Sequence, residues 1–229
     1  MRPPGRPKGE YRSAQHEGTR MSSGRERVLA DIRRALGRDG LGLAAIPPLP
    51  GTAPRPAFEG DLVDRFAAKM IEKSATLERI ASLADVGEAA TRFISAYGAA
   101  HRLCVSPALA DIAWPPGLTI HVGAAGRDEQ TSVTPCFAAV AEAGAIVALS
   151  GPNTPSTLNF VPENHIVIVR VGQVVRHFED AWAQWRASGL PMPRTLNVIS
   201  GPSRTADIEQ TIQLGAHGPR RLHILLVSA

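Results

Sequence analysis

AIVALSGPNTPSTLNFVPENHIVIVR, residues 145–170, decides the fold. It opens and closes on unbroken apolar runs, too short for helices and bounded by Ser-Gly-Pro and Pro-Glu-Asn. A continuous run without alternation reads as a strand buried on both faces, the pattern of a parallel sheet. Between the runs there is room for one helical turn, Pro155–Phe160.

Outward from this stretch the pattern repeats. Thr76–Ile80, "HRLCVS" (101–106), "LTIHVG" (118–123), "LNVIS" (196–200) and "RLHILLV" (221–227) read as further strands. Helical periodicity fills 84–97, 173–187 and 205–215, and "PALADI" reads as a short helix. Thr134 as a cap, Pro135 in the first helical position and Gly144 past the end predict another helix over 134–143. Strands alternating with helices predict an α/β fold, a three-layer mostly parallel sheet with helices on both faces. Upstream, 24–38 (Val28, Leu29, Ile32, Ala35, Leu36 on one face) and 61–73 predict two helices, joined by the Pro/Gly-rich linker at 40–60. The expected organisation is a disordered tail over 1–21, an N-terminal helical arm with its linker over 22–75, and an α/β domain over 76–229. Met21, just ahead of the first helix, is the expected natural start.

Charge and cysteine usage narrow the function. The formal charge is +4, but residues 1–20 hold five basic and two acidic side chains, which leaves +1 for the rest. A nearly neutral body without a basic, aromatic-interleaved stripe argues against nucleic acid as a partner. No apolar run approaches the ~20 residues of a membrane span, and no signal-peptide pattern is present, so a cytoplasmic location is expected. Cys104 and Cys136 are the two cysteines. They cannot supply the four thiolates of an iron–sulfur cluster or a zinc ribbon, so no metal site and no cofactor are expected on this chain. No Ser-His-Asp order, HExxH, Walker loop or GxGxxG occurs.

The chemistry concentrates at two Ser-Gly-Pro turns. Ser150-Gly151-Pro152 follows one predicted strand and continues through Asn153 and Thr154, with Asn159 on the helical turn behind. Ser200-Gly201-Pro202 follows another and continues through Ser203, Arg204, Thr205 and Asp207. In open α/β sheets ligands bind outside the carboxyl ends of strands. Peptide N–H groups at a helix start together with Arg204 fit an anion, a small carboxylate or phosphate. The equally plain structural reading is a capped turn in which Arg204 pairs with a carboxylate. Glu142, in the last turn of the predicted helix, opposes the helix dipole and therefore calls for a partner or a task. His165 and His223 lie on strands and read as core or edge histidines; His217 reads as a helix cap.

Four segments together, "ERVLADIRRALGR", "AEAGAIVALSGPNTPSTLNFVPENHIVIV", "EDAWAQWR" and "ISGPSRTADIEQTIQLGAHGPRRLHILLV", resemble the lactate utilization protein C family, the LUD-domain proteins formerly called DUF162. The resemblance covers residues 22–229. It implies a fold similar to the NagB/RpiA/CoA transferase-like group. It also implies a part in a cytoplasmic system that oxidises L-lactate to pyruvate with iron–sulfur lactate utilization proteins, which would carry the clusters. It assigns no catalytic residue to this chain. Glu142-Ala143-Gly144 before an apolar strand also resembles the Glu-x-Gly signature of coenzyme A transferases, which makes Glu142 the candidate catalytic residue of an independent transferase-like or isomerase-like enzyme. A non-catalytic assembly or regulatory factor is the third reading. The cysteine count yields one prediction: the purified chain shows no iron–sulfur absorbance, and stoichiometric iron and sulfide in the monomer would contradict it.

Overall fold

The computed structural model describes residues 24–37, 55–205, 213–215 and 217–228. The predicted tail over 1–21 and most of the 40–60 linker lie outside the described residues, as do Asp207 and the greater part of the helix expected over 205–215. The chain divides into two units, Met1–Ala53 and Pro54–Ala229. In the first, helix α1 (Gly24–Ala35) places Glu26 in its first turn and Arg33 and Arg34 in its last, as the helix dipole favours.

The second unit begins with α2 (Leu62–Glu72), whose Asp61 cap accepts from the Val63 and Asp64 amides. Then follow β1 (Thr76–Ile80), α3 (Val86–Ala96), β2 (Arg102–Val105), β3 (Thr119–Val122), β4 (Thr131–Pro135), β5 (Ala138–Val140), β6 (Ala145–Leu149), α4 (Thr157–Phe160), β7 (Asn164–Arg170), β8 (Val174–Val175), α5 (Phe178–Ala187), β9 (Leu196–Ile199), β10 (Arg204–Thr205), β11 (Gln213–Leu214) and β12 (Arg221–Val227). Six strands form one sheet in the order β1-β12-β7-β4-β2-β3, every neighbouring pair parallel.

Both faces of that sheet are buried. On one, Val86, Ala89, Ala90, Phe93 and Ile94 of α3 meet Val105, Val133, Ile166, Ile168, Leu225 and Val227. On the other, Phe66 and Met70 of α2, with Ala139 and Ile146, cover Val167, Val169, Leu222, Ile224 and Leu226. The α/β class and the helices on both faces thus stand as expected.

A second sheet was not expected. Strands β8-β5-β6-β9 form a four-stranded layer, antiparallel between β5 and β6 and between β6 and β9. Its outer side packs on α5 through Ala138, Val140, Val147 and Ala181. The helix predicted over 134–143 is β4 running into β5. Most of its residues are buried, so the run has no exposed polar stripe by which a helix could be told from a strand. Pro135 falls on the last residue of β4, where the ladder is ending. The long helix expected from 173 begins only at Phe178, because Val174–Val175 pair with β5. Thr205, Gln213 and Leu214, expected in one helix, instead belong to two short strands, Arg204–Thr205 and Gln213–Leu214, that pair antiparallel.

Two histidines sit in these layers as core residues. His165 is fully buried, with Nε2 2.7 Å from Thr134 Oγ1. His223 stacks on Phe93 at 4.5 Å and contacts Thr76 Oγ1 through Nδ1 at 2.8 Å. Burial pushes the imidazole of His165 down to about 3 and that of His223 down to about 4, with Glu78 opposing. Both are neutral in the folded chain, whereas in the unfolded chain they titrate near ~6.5. The stability they permit is therefore whole above about pH 6.5 and is lost as pH falls toward the folded values. Each site adds a slope of about 1.4 kcal/mol per pH unit in that window. Thermal melts between pH 7 and 4.5 should show a falling Tm, and His165→Gln should flatten the fall; an unchanged slope would contradict this account.

Candidate functional site

The parallel sheet reverses its direction of growth between β2 and β4. The chain passes from β2 outward to β3 on one side, and from β4 to β7 on the other. The crevice outside the carboxyl ends at such a reversal is where open α/β sheets bind ligands. Here the first Ser-Gly-Pro segment occupies its rim. Ser106, just past β2, is buried and donates to the Asn153 carbonyl at 2.6 Å, and the Ala108 amide donates to the same oxygen at 3.0 Å. Thr154 Oγ1 donates to the Leu149 carbonyl at 2.7 Å, and Gly151 and Thr154 bridge each other. The Asn153 and Thr154 side of the turn is thereby fixed to β2 on one hand and β6 on the other.

Two adjoining hollows result. A cavity of about 210 Å³ lies among Thr134, Cys136, Leu149, Thr154 and Asn159. A wider cleft of about 840 Å³ is lined by Ser150, Gly151, Thr154, Ser156, Arg194 and Thr195, among others. Leu149, Thr154 and Leu190 line both. Ser150 Oγ accepts from the Thr195 amide at 2.8 Å, and Ser156 and Thr195 share a hydroxyl contact at 3.0 Å. Arg194 is exposed on this wall, and among the described residues no carboxylate pairs with it. Cys136 is no nucleophile here: burial pushes its thiol up to about 12, so it stays protonated at neutral pH.

Ser150, Gly151, Thr154 and Asn159 thus line the two hollows, and Asn153 anchors the turn beside them. The second Ser-Gly-Pro turn does not join them. Strand β9 runs antiparallel to β6, with Leu149 opposite Leu196 and Ile146 opposite Ile199. Ser150 and Ser200 therefore lie at opposite ends of this ladder, separated by about 15 Å of strand. Both turns were expected at carboxyl ends of one parallel sheet, but that sheet contains neither β6 nor β9, which pair antiparallel in the second sheet; the first turn reaches the crevice only through its contacts with Ser106 and Ala108. Ser200 and Gly201 instead receive the end of α2. Lys73 Nζ donates to Ser200 Oγ at 2.6 Å and to the Ala143 carbonyl, and Ser200 Oγ donates to the Gly144 carbonyl at 2.7 Å.

The Ser203 amide donates to the Pro219 carbonyl at 2.8 Å, two residues ahead of β12, which puts Ser203 and Arg204 near the amino ends of the main strands. Arg204 lies exposed in β10 rather than at a helix start. Thr205 shares that strand, and Asp207 lies outside the described residues. Glu142 stands in the β5–β6 turn, not on a helix, with Oε2 3.0 Å from Nδ1 of the buried His177. It too is remote from the cleft, at the Ser200 end of the second sheet.

Sequence reasoning missed Arg194 and Thr195, because they precede a strand instead of following one. Only the antiparallel β6–β9 register carries them to Ser150. It also missed Cys104, His121 and Glu129, whose ligand atoms all lie within 4.8 Å of one another.

An open parallel sheet with a polar-rimmed cleft beside its reversal point defines an α/β protein. Residues 128–227 match the LUD domain. The chain is 38% identical over 88 residues to an uncharacterized protein of Neisseria meningitidis serogroup B, a match spanning 38% of each chain. It is 36% identical over 98 residues to Lactate utilization protein C of Exiguobacterium sp., spanning 42% of this chain and 43% of that one. Those two matches cover less than half of the relatives' length. A third, to Lactate utilization protein C of Deinococcus radiodurans, is 28% identical over 212 residues and spans 87% of this chain and 93% of the relative. The crystal structure of a DUF162 family protein from Deinococcus radiodurans shares the fold, with a TM-score of 0.54, 22% identity and coverage of 72% of this chain and 96% of that one.

The two turns make separable demands on glycine. Gly144 has φ +59°, and a Cβ there would overlap Lys69 Cβ; Gly201 has φ +111°, and a Cβ would sit 2.8 Å from the Lys73 carbonyl oxygen. A Cβ on Gly151 would meet only Thr154 Oγ1 at 3.4 Å, with no positive φ. Gly144→Ala and Gly201→Ala should each cost about 1–3 kcal/mol in urea unfolding, and Gly151→Ala less than about 1 kcal/mol. Equal costs at all three would contradict the assignment of the second turn to packing.

Proposed function

We propose that this chain serves in lactate utilization, and that the cleft at the first Ser-Gly-Pro turn binds a small carboxylate such as lactate or pyruvate. The observation that carries the reading is Arg194, a cation free of carboxylates among the described residues, facing the same cleft as Ser150, Gly151, Thr154 and Ser156. A guanidinium with nearby hydroxyls suits a carboxylate of a few heavy atoms. The names of the Exiguobacterium and Deinococcus relatives support the pathway. In this reading the chain works in the cytoplasm and binds its carboxylate for iron–sulfur partner proteins, which hold the redox clusters. Among the described residues no helix is long and apolar enough to cross a membrane.

Isothermal calorimetry of the full chain with lactate, pyruvate and phosphate tests this. Arg194→Ala should weaken carboxylate binding by about 10-fold to 100-fold, the scale of a charge-assisted hydrogen bond, with an unchanged Tm. Arg204→Ala should leave the affinity as it is. Loss of binding with Arg204→Ala and not with Arg194→Ala would move the site to the second turn and refute the proposal.

A further inference from the structure

On the β3 side of the sheet reversal, three side chains of different chemistry converge on one point. Parallel pairing sets Cys104 of β2 directly beside His121 of β3. Glu129 arrives from the loop ahead of β4, the other neighbour of β2. His121 Nδ1 lies 3.5 Å from Cys104 Sγ and 2.8 Å from Glu129 Oε1. The Glu129 side chain is 5% exposed, and its second oxygen, Oε2, is buried without a hydrogen-bond partner. A buried carboxylate oxygen left unpaired is costly, and this one belongs to the carboxylate whose Oε1 contacts the imidazole.

The geometry separates two uses of such a trio. In a nucleophile–base–orienter relay the imidazole spends one ring nitrogen on each partner. Here the same nitrogen faces both the sulfur and the carboxylate, which is the arrangement of ligands around a shared ion. Ligand atoms on a tetrahedral zinc, with Zn–S of about 2.3 Å and Zn–N of about 2.0 Å, stand roughly 3.5 Å apart. That is the Sγ···Nδ1 separation observed. Arg102 donates to Glu129 Oε1 at 3.1 Å, as an outer partner that orients a ligating carboxylate does, and the carboxylate keeps one oxygen, Oε2, without a hydrogen-bond partner.

We propose that Cys104, His121 and Glu129 bind one divalent transition-metal ion, of which Zn²⁺ fits the donor set. Thiolate and imidazole select against Mg²⁺ and Ca²⁺. Three protein ligands leave a fourth position open, and His121, 44% exposed at its side chain, marks the way in from solvent. Such a site holds an exchangeable water or a small oxygen-donor ligand.

The full chain, stripped of metal and titrated with Zn²⁺ against a chromophoric chelator, should take up one equivalent. Cys104→Ser, His121→Gln and Glu129→Gln should each weaken uptake at least tenfold, and Cys136→Ser should not change it. Co²⁺ in place of Zn²⁺ should give a thiolate charge-transfer band that Cys104→Ser abolishes. His121 lies on an exposed edge strand, so His121→Gln keeps the test decisive if Cys104→Ser disturbs the core. Failure to bind Zn²⁺, uptake unchanged in His121→Gln and Glu129→Gln, or a Co²⁺ spectrum without a thiolate band would overturn the proposal.

Discussion

The structure depends on β7 being buried on both faces. Its residues alternate strictly, Ile166 and Ile168 toward α3 and Val167 and Val169 toward the other side. Parallel strands of this kind are stable only when each face is covered. On the first face α3 is joined by Leu109, Ile112 and Trp114 from the segment after β2. The second needs more cover than α2 alone provides, and the four-stranded sheet supplies it. The chain changes layer at Cys136 and Phe137: the Cys136 amide still donates to Ile168 of the main sheet, and the Phe137 amide already donates to Val147 of the second.

That second sheet distributes the functional residues. Because β6 and β9 run in opposite directions, two turns of the same composition acquire different duties. The first opens beside the carboxyl end of β4 and rims a cleft. The second closes on α2, where Lys73 reaches Ser200 and the Ala143 carbonyl and Gly144 and Gly201 admit the helix. The cation at the second turn that engages its serine is therefore Lys73, from a distant helix. Glu142 lies at the same end and is held by His177, a contact that ties the β5–β6 turn to the start of α5. The Glu-Ala-Gly pattern thus has a packing explanation for its glycine and a structural partner for its carboxylate.

Much of the fold was legible in the sequence. The apolar runs at 145–149, 165–170 and 221–227 are strands, and the periodic segments near 84–97 and 61–73 are helices. What misled was Thr134-Pro135, a helix-start signature set inside a run without a polar face. Periodicity could not arbitrate there, and the demand for a second cover over β7 decided for strand. Direction was the other hidden quantity. The strand at 196–199 shows the same short apolar pattern whether it joins the parallel sheet or opposes β6, so the sequence could locate the first turn's Ser150 and Thr154 but not their neighbour Arg194. Cys104, His121 and Glu129 escaped for a related reason. Spacings of 17 and 8 residues resemble no ligand motif, and only the register of β2 against β3 and β4 makes them neighbours.

The cleft and the thiol–imidazole–carboxylate cluster share a wall. Cys104 packs with Ala125 and Leu158; the Ala125 amide donates to Thr157 Oγ1 at 3.1 Å, and Ser132 Oγ donates to the Leu158 carbonyl at 2.6 Å. Leu158 lies in α4, the short helix that follows the first Ser-Gly-Pro turn and carries Asn159 into the small cavity. A displacement of α4 would therefore be felt both by the turn that rims the cleft and by the loop that brings Glu129 to Cys104. Elements this short carry little stability of their own, and α4 is held instead by these side-chain contacts to β4 and to the 123–128 loop. The cleft and the cluster thus lie on either side of a helix of a single turn, beside the place where the parallel sheet reverses.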